Sequence, residues 1–525
     1  MANKTLFSSI RGRWTAKADT RNEAGGLAYS RSHKQALAQL AATGCLGATF
    51  YAIASSQLDA VLSHAAHVEP EYLAQLALYA RNKGHMKDMP ALLCAVLSTR
   101  SPQLLNVIFN RVIDSPKMLR NFVQIMRSGA VGRKSLGTSP KRLILQWLES
   151  RTDDQLFVGS VGNDPSLADI VRMVHPRPTS PAREALLGYL IGRQHNHEVL
   201  PELVRQFESF KNNNRKKGDS IPDVPFQMLT SLPLTKRDWQ QIARNASWQT
   251  TRMNLNTLAR HGVFENEELT SIVANRLRNP QLIEKARAFP YQLMVAYANI
   301  DSTVPHAVRD ALQDAMELAI RNAPRVSGRV YVCPDVSGSM HSPVTGHRHG
   351  ATTAVRCLDV AALVAATILR KNPQAEVIPF KETIVNIALN ARDTVMTNAE
   401  RIARVSPGGT NCSAPLFELN RRRALGDLVV FVSDNESWID SDRRGWAGSG
   451  RTATMNEWSK FQARNPQARL VCIDLQPYGT VQGQEREDIV NVGGFSDQVF
   501  TLLADVAAGR HSLDHWVREI ESVRI

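Results

Sequence analysis

The chain has 525 residues, too many for one ordinary hydrophobic core, so the sequence predicts at least two domains. Its six cysteines are scattered and form no Cys-x-x-Cys pair, which argues against a zinc ribbon or a disulfide framework and fits a reducing cytosol. The N-terminus is polar and no run of about 18 apolar residues exists, so we expect a cytoplasmic protein without a signal sequence or a membrane span.

The formal net charge of +14 lies entirely in the N-terminal part of the chain. Residues 1–325 contain 41 Lys and Arg against 27 Asp and Glu, whereas residues 326–525 contain 22 of each. A basic region joined to a neutral one predicts a polyanionic partner for the basic region. A membrane surface is the rival polyanion, although no strongly basic amphipathic helix stands out. Charge alone is also compatible with a basic surface that binds nothing.

Helical patterns follow one another from residue 32 to about residue 323, and alternating strand patterns are almost absent there. The segment 69–84, EPEYLAQLALYARNKG, is typical: acidic residues begin it, and basic residues and a glycine end it, as the helix dipole favours. About a dozen helices in succession, joined by short loops, predict an α-solenoid of degenerate HEAT or armadillo repeats. Such a solenoid offers an extended concave surface to a large partner.

Basic residues cluster at predicted helix ends and loops of this region. In the segment 132–142, GRKSLGTSPKR, a glycine-bearing loop brings hydroxyls, backbone N–H groups and cations together. We expect Ser139 as the N-cap and Pro140 as the first residue of the next helix. Because a helix N-terminus beside Lys and Arg attracts phosphate, this segment is a candidate phosphate site. The candidate polyanion contacts are Lys134, Lys141, Arg142, His175 and Arg177, followed by Arg133, Arg172, Lys83 and Lys87.

The C-terminal part alternates strands with helices. Predicted strands at 328–335, 375–380, 427–434 and 468–475 are separated by helical segments, which predicts a mainly parallel, doubly wound sheet. In such a sheet, binding sites lie at the carboxyl ends of the strands.

Oxygen-bearing side chains occupy these strand ends. Asp335, Ser337 and Ser339 follow the first strand, Thr410 lies in the loop SPGGTNCSAP, and Asp434 ends the strand DLVVFVSD. Hydroxyls and carboxylates without nearby Cys or His at ligand spacing suit a hard cation, so the sequence predicts a site for Mg²⁺ or another divalent cation.

The order Asp-x-Ser-x-Ser, then Gly-Gly-Thr, then Asp, on an α/β background, resembles the von Willebrand factor A domain and its metal-ion-dependent adhesion site. All five positions match. The resemblance implies a metal with an open position that takes an acidic oxygen from a partner. The alternative is an A domain that has lost its metal. His341, His347 and His349 in the following loop suggest a second metal, although a solvated loop is the favoured interpretation.

The two halves together resemble the TROVE family, the Ro autoantigen type with its bacterial relatives, over nearly the whole chain. The segments that carry this resemblance are NEAGGLAYS, GRKSLG, MVHPRP, PDVSGSM, GGTNCSAPL and SDNES, in the expected order. It implies a HEAT-like helical ring at 1–325 closed by an A domain at 326–525. One segment departs from the Ro pattern, because residues 157–169 contain no Lys or Arg. We therefore expect no RNA contacts from this segment, although His175 and Arg177 remain as candidate contacts after it.

The resemblance also implies a function and partners. Ro proteins bind small noncoding Y RNAs on the basic surface and take single-stranded 3′ ends of structured or misfolded RNAs in the ring, in RNA quality control, processing or degradation. Bacterial relatives pair with RNA-processing enzymes such as polynucleotide phosphorylase. We therefore expect a ribonucleoprotein component with no DNA partner.

Two other classes of function compete with this interpretation. A protein-interaction scaffold would use the A domain to grip an acidic residue of a partner, with the basic face incidental. Retention of nucleic acid through a high-salt purification would favour the RNA-binding class. A metal-dependent nuclease or phosphatase would need a general base and a second cluster of metal-binding carboxylates, and the five residues include neither. Glu436 is the one nearby candidate base, and we expect it at the surface, so no enzyme activity is predicted.

Overall fold

The structure is a computed structural model of the chain. It describes residues 18–22, 25–43, 54–84, 86–162, 165–212, 221–286, 290–320, 325–344, 355–437, 452–476, 480–484, 486–493, 498–509 and 515–525. The described residues form two compact units. The α/β unit comprises those of Met1–Val68, Arg278–Asn299 and Asp310–Ser522, and the helical unit those of Glu69–Leu277, Ile300–Arg309 and Val523–Ile525. No described helix is both long enough and apolar enough to cross a membrane.

Up to residue 319 the described chain is helical apart from two short strands. These are β1 (Thr20–Arg21) and β2 (Leu27–Ser30), and the helices are α1 (His33–Thr43), α2 (Ala54–Ala66), α3 (Pro70–Asn82), α4 (Asp88–Arg100), α5 (Pro102–Val112), α6 (Pro116–Ser128), α7 (Thr138–Glu149), α8 (Asp153–Val158), α9 (Leu167–Val174), α10 (Pro181–Ile191), α11 (Glu202–Lys211), α12 (Phe226–Thr230), α13 (Lys236–Asn245), α14 (Trp248–Met253), α15 (Leu255–Arg260), α16 (Glu267–Leu277), α17 (Pro280–Ala286), α18 (Pro290–Ala298) and α19 (His306–Ala319).

The described residues thus contain more helices than the dozen predicted. Several of the additional ones, such as α8, α9 and α12, have eight residues or fewer. Two turns give too few apolar positions for a helical period to be recognised in the sequence. The helix bounds alone do not define a repeat type, so the arrangement of these helices as HEAT-like repeats stays a prediction.

Serine followed by proline begins three helices of the helical unit. The hydroxyls of Ser101, Ser115 and Ser180 accept hydrogen bonds from backbone N–H groups in the first turns of α5, α6 and α10. Proline fits the following position because the first N–H groups of a helix have no partner inside it.

The prediction of Ser139 as the N-cap of α7 is wrong. The helix begins at Thr138, and Gly137, with φ of 71°, is the N-cap without a side-chain hydrogen bond. The positive φ is one that glycine adopts without strain, so the chain turns into the helix two residues earlier than the serine suggests. Pro140 stays inside the first turn, where its missing N–H costs no helical hydrogen bond.

These caps give a testable prediction. Replacing Ser115 or Ser180 by alanine should lower the free energy of unfolding by about 1 kcal/mol, because each loses a side-chain acceptor for an unpaired N–H. Replacing Ser139 by alanine should leave the free energy of unfolding unchanged, because Ser139 is not the N-cap of α7. Urea denaturation of the full chain would test the difference, and an equal loss in all three variants would contradict the assigned start of α7.

Helix α4 lies at the centre of its neighbours in the helical unit. Ten consecutive residues, from Met89 to Ser98, are buried, and α3, α5 and α6 pack around the helix. A helix that is buried all round needs apolar or small residues on every face, which explains its sequence MPALLCAVLS. Farther along, Trp147 is fully buried and its indole N–H donates to the carbonyl of Ile113 at 2.6 Å.

The α/β unit is built around a parallel sheet of five strands in the order β4-β3-β5-β6-β8. Its described elements after residue 319 are β3 (Val330–Pro334), α20 (Cys357–Lys371), β4 (Glu376–Val377), α21 (Val395–Ala403), α22 (Ala414–Arg421), β5 (Leu428–Ser433), α23 (Ala453–Arg464), β6 (Arg469–Asp474), β7 (Thr480–Val481), β8 (Ile489–Gly493), α24 (Gln498–Ala507) and α25 (His515–Glu521). The predicted succession, a helical region followed by an α/β region with a parallel sheet, is confirmed.

Two strand predictions differ from the structure. The predicted strand 375–380 is assigned as strand only over the two residues of β4, although the N–H groups of Ile378 and Phe380 still donate to the carbonyls of Val332 and Pro334 at 2.8 and 3.1 Å. Strand β8, at the edge of the sheet, was not predicted. Its residues from Ile489 to Gly493 are all buried, so they lack the alternation that marks a half-exposed strand.

The strand order places a topological switch beside β3. The chain passes from β3 to β4 on one side and then to β5 on the other. Ligands of open α/β sheets bind outside the carboxyl ends of the strands at such a switch. The carboxyl ends of β3 and β5 are followed by Asp335 and Asp434, so the fold brings the two predicted aspartates to one edge.

The N-terminal strands belong to the α/β unit. β2 pairs antiparallel with β1 and with β7, and α1 packs against β8 and α25. Tyr29 of β2 lies in the same apolar cluster as Cys333 and Phe431 of the parallel sheet. The domain boundary predicted between residues 325 and 326 stays a prediction.

Candidate functional site

Backbone hydrogen bonds join the two loops that carry most of the predicted metal ligands. The N–H of Gly338 donates to the carbonyl of Gly408 at 2.8 Å, and the N–H of Asp335 donates to the carbonyl of Val432 at 2.9 Å. A Cβ at Gly338 would lie 3.4 Å from the Gly408 oxygen, so a glycine lets the loops approach closely. The segment with Ser337 and Ser339 therefore lies beside the segment with Thr410.

Asp335, Ser337 and Ser339 form a connected, buried group. The hydroxyls of Ser337 and Ser339 are 3.2 Å apart, and the N–H of Ser337 donates to Asp335 Oδ1 at 2.8 Å. Asp335 Oδ2 accepts a hydrogen bond of 2.6 Å from the hydroxyl of Ser433. Sequence reasoning missed Ser433, which is the last residue of β5. Its hydroxyl orients the Asp335 carboxylate toward the serine pair.

Asp434 is buried with one oxygen unpaired. Oδ1 accepts from the N–H of Glu436 at 3.3 Å, whereas Oδ2 is buried and has no hydrogen-bond partner among the described residues. Burial raises the pKa of Asp434, and burial together with the Asp434 charge raises the pKa of Asp335. An unpaired carboxylate oxygen and two crowded carboxylates are what a bound cation would stabilise.

Thr410 is positioned by its own loop. The carboxylate of Glu382 accepts from the N–H of Gly409, and the N–H of Asn411 donates to the carbonyl of Lys381 at 2.9 Å. Thr410 is 3% exposed, so its side chain is buried within this loop. The set of two carboxylates and three hydroxyls fits a hard, oxygen-ligated cation such as Mg²⁺.

The expectation of a surface position for Glu436 is wrong. Glu436 is 1% exposed, because Asn435, with φ of 57°, turns the chain inward after β5. His341 Nδ1 lies 3.2 Å from a guanidinium nitrogen of Arg356. His347 and His349, named with His341 for a second metal, lie outside the described residues.

Asp474 is a third buried carboxylate that sequence reasoning did not include. It ends β6 and is in register with Ser433 of β5. Burial raises the pKa of Asp474 to about 7, and the guanidinium of Arg31, 3.9 Å from its carboxylate, opposes that rise. Among the described residues no three His, Cys, Asp or Glu side chains are placed to share one ion, so Asp474 does not join Asp335 and Asp434 as a third acidic ligand.

Most predicted polyanion contacts are exposed side chains of the helical unit. Lys141 and Arg142 lie in the first half of α7, and the first turn of that helix carries no acidic residue. Arg133 is half-buried, and a Cβ at Gly137 would lie 3.4 Å from its guanidinium. The exposed members of the set are Lys83, Lys87, Lys134, Lys141, Arg142, Arg172, His175 and Arg177.

Two of these residues have structural roles in the helical unit. Arg172 pairs with Asp169 at 3.1 Å and donates to the carbonyl of Ile191 at 2.7 Å. His175 is the C-cap of α9 in the left-handed conformation, with φ of 52°. Lys141, Arg142 and Arg177 have no acidic partner in the described part of the chain, so their charges are available to a ligand.

Comparisons with known proteins match both parts of the chain. The model of the TROVE domain matches residues 165–368, and that of the Ro60 vWA domain matches residues 329–507. RNA-binding protein RO60 of Deinococcus radiodurans is 25% identical over 530 aligned residues, which cover 93% of this chain and 95% of the relative. The chain carries the TROVE domain and the Ro60 vWA domain that the sequence resemblance predicts.

A second relative and a solved structure also match the chain. RNA-binding protein RO60 of Caenorhabditis elegans is 20% identical over 270 residues, 49% of this chain and 39% of the relative. The crystal structure of the Deinococcus radiodurans RO (RSR) protein superposes with a TM-score of 0.61 at 21% identity, covering 91% of this chain and all of that one, and it supports the fold. The family and fold-class predictions are confirmed.

The two family matches divide the candidate residues unequally. All five predicted metal ligands lie inside the Ro60 vWA match, and Arg172, His175 and Arg177 lie inside the TROVE match. The cluster at 133–142, with Lys83 and Lys87, precedes both matches. Its assignment to a polyanion rests on charge, exposure and helix geometry, and the role of each individual residue stays a prediction.

Proposed function

We propose that this chain is a non-catalytic RNA-binding protein of the Ro type, acting in the cytoplasm. The observation that carries the proposal is the similarity over 93% of the chain to a relative named as an RNA-binding protein. The net charge agrees with it, because the whole excess of +14 falls within residues 1–325. The finer proposal is that Y-like RNAs bind the basic surface and that single-stranded 3′ ends of misfolded RNAs enter a helical ring.

The start of α7 is the strongest phosphate-binding candidate in the described helical unit. A helix N-terminus carries partial positive charge, so the cations Lys141 and Arg142 close to it are unfavourable unless an anion is bound. The structure supplies no acidic side chain in that first turn. An RNA phosphate would satisfy the N–H groups and both side chains together. Such contacts position RNA without reading its sequence, which suits a protein that handles many RNAs.

We further propose that the α/β unit holds Mg²⁺ or another divalent cation through Asp335, Ser337, Ser339, Thr410 and Asp434. When bound, the ion would supply an electrophilic open position for an acidic oxygen of a partner. The unpaired Asp434 Oδ2 supports this assignment. No hydrolytic step is proposed, because the described residues contain no cluster of three or more acidic, His or Cys side chains that could hold a second metal.

One observation favours the second candidate function, a protein-interaction scaffold. A cavity of about 410 Å³ lies next to the Thr410 loop and is lined by Ile384, Asn411, Ala414 and Phe417 among others. Phe417 is 56% exposed, unusual for a large apolar side chain. A partner that places an acidic side chain on the metal could fill this cavity with a neighbouring apolar side chain. An RNA-processing enzyme such as polynucleotide phosphorylase is the kind of partner proposed.

The unpaired oxygen of Asp434 gives a prediction on stability. In a buffer with EDTA, Asp434→Asn should raise the free energy of unfolding by about 1–3 kcal/mol, because it removes a buried carboxylate charge whose Oδ2 has no hydrogen bond. The same variant should lose stabilisation by Mg²⁺. Asp427→Asn, at the opposite end of β5 where the carboxylate accepts from the N–H of Arg329 at 2.7 Å, is the control and should gain nothing. A loss of stability in Asp434→Asn without metal would contradict the assignment.

The RNA proposal is tested by filter binding with the full chain. The probe is an RNA with a stem and a free 3′ tail, measured over a series of salt concentrations. Affinity that falls steeply with salt supports the proposal. If the folded chain shows no salt-sensitive binding, the RNA-binding function fails and the protein-interaction scaffold takes its place.

A further inference from the structure

The N-terminal hairpin, defined here as the described residues of 20–31, reaches the edge of the sheet that carries the proposed metal site. Tyr29 and Ser30 pair with Val481 and Thr480 of β7. Tyr29 is 5% exposed and packs in the core of the α/β unit. The hairpin is about 300 residues away from β3 in sequence, yet it is part of the same packed unit. It therefore contributes contacts that no local motif around Asp335 indicates.

Asn22 connects the hairpin to the loop that carries Asp434. Its side-chain oxygen accepts from the N–H of Gly26 at 2.7 Å, which closes the hairpin turn. Its side-chain nitrogen donates to the carbonyl of Ser437 at 3.1 Å. Asn22 is 6% exposed and Ser437 is fully buried, so water does not compete for this bond.

Ser437 also binds the loop of Thr410. Its hydroxyl accepts from the N–H of Cys412 at 3.4 Å. Ser437 thus joins the hairpin to two of the loops that carry predicted metal ligands. One of these loops contains Asp434 and the other contains Thr410. Ser437 thereby connects the segment that follows Asp434 to the segment that follows Thr410.

A second contact lies at the neighbouring strand end. Arg31 and Asp474 are 3.9 Å apart, and their side chains are 5% and 1% exposed. Asp474 of β6 is paired in register with Ser433 of β5, the residue that precedes Asp434. Buried carboxylates repel one another unless a cation offsets their charge. Arg31 provides that cation for Asp474, which leaves Asp335 and Asp434 for a divalent ion.

We propose that the N-terminal hairpin is a positioning element of the metal site: Asn22 fixes the loops of Asp434 and Thr410 through Ser437, and Arg31 offsets the charge of Asp474. The inference rests on the proposed metal site. Because coupling between two sites is reciprocal, the bound metal also holds the hairpin in place. The mobility of the segment that leads into the first helices of the chain then depends on whether the metal site is occupied.

The first test compares Mg²⁺ affinity in matched variants of the full chain. Asn22→Asp keeps the oxygen that accepts from Gly26 and removes the donor to Ser437. Arg401→Ala is the control: it lowers the net charge by the same amount in the same unit, at an exposed side chain outside the hairpin that pairs with Asp393. By isothermal titration calorimetry, Asn22→Asp should bind Mg²⁺ at least about fivefold more weakly than the wild type. Arg401→Ala should match the wild type.

The second test needs no variant in the hairpin. Hydrogen exchange of peptides that cover residues 25–31 should be slower with saturating Mg²⁺ than with EDTA in the wild type. The Asp335→Ala protein should show the same rate in both buffers. This measurement stays decisive if Asn22→Asp does not fold.

The outcomes separate the two proposals. If the wild type shows no Mg²⁺ binding by calorimetry, the metal site itself is wrong. If the wild type binds Mg²⁺ but Asn22→Asp binds it equally well, or hairpin exchange does not respond to Mg²⁺, the positioning role is wrong and the metal site stands.

Discussion

Replacing Lys141 and Arg142 together by alanine is expected to weaken RNA binding about 25-fold at 0.1 M salt. Each cation that neutralises a single-stranded phosphate contributes about 0.7 to the slope of log affinity against log salt, so losing two contacts makes the slope shallower by about 1.4. The two side chains are exposed, lie near the N-terminus of α7 and have no acidic partner in the described structure. Their charges are therefore free to replace counterions on RNA.

The measurement is filter binding with several structured RNAs over a salt series. Phosphate contacts carry no sequence information, so the loss should be similar for every RNA with the same stem and 3′ tail. A loss confined to one RNA would indicate base recognition at α7 instead of phosphate binding.

A matched control removes the same charge from the same unit. Lys236 and Arg244 also lie in the helical unit, but each already pairs with an acidic residue, Glu265 and Glu268 respectively. Changing both to alanine lowers the net charge by the same amount without removing a free cation. If this control loses as much affinity as the α7 variant, binding reflects overall charge and α7 is not a site.

The sequence predicted that Asp335 and Asp434 lie at one edge of the sheet because the fold class brings strand ends together. Asp335 and Asp434 each follow an apolar strand, and parallel strands expose their carboxyl ends at one edge, so their proximity follows from topology alone. The start of α7 was less predictable, since Ser139-Pro140 resembles the pairs that begin α5, α6 and α10. Only the backbone at Gly137 shows that the turn comes earlier.

The surroundings of the site could not be predicted, because they depend on residues distant in sequence. Ser433 contacts Asp335 across 98 positions, and Asn22 contacts Ser437 across 415. Asn22 begins the segment NEAGGLAYS and Ser433 begins the segment SDNES, but neither segment indicates which distant residue it contacts, and the strands β1 and β2 have only two and four residues. Local pattern identifies candidate ligands, whereas the residues that orient those ligands appear only when the chain is folded.

Replacing Asp335 by alanine is expected to abolish stabilisation of the α/β unit by Mg²⁺. A ligand that binds only the folded state at 100 times its dissociation constant adds about 2.7 kcal/mol to the free energy of unfolding, and this gain disappears with the site. Asp335 is fully buried and accepts hydrogen bonds from both Ser337 and Ser433. Its replacement by alanine therefore deletes a carboxylate and also leaves these two serines without their acceptor. The helical unit should remain folded.

Differential scanning calorimetry with Mg²⁺ or EDTA measures this effect, and two comparisons interpret it. Asp393→Ala removes a half-buried carboxylate of the same unit that pairs with Arg401 at 2.7 Å, and it should keep the full response to Mg²⁺. RNA affinity of Asp335→Ala should stay close to that of the wild type, because the excess positive charge lies in residues 1–325. Equal stabilisation by Mg²⁺ in Asp335→Ala and wild type would show that these five residues do not form the metal site.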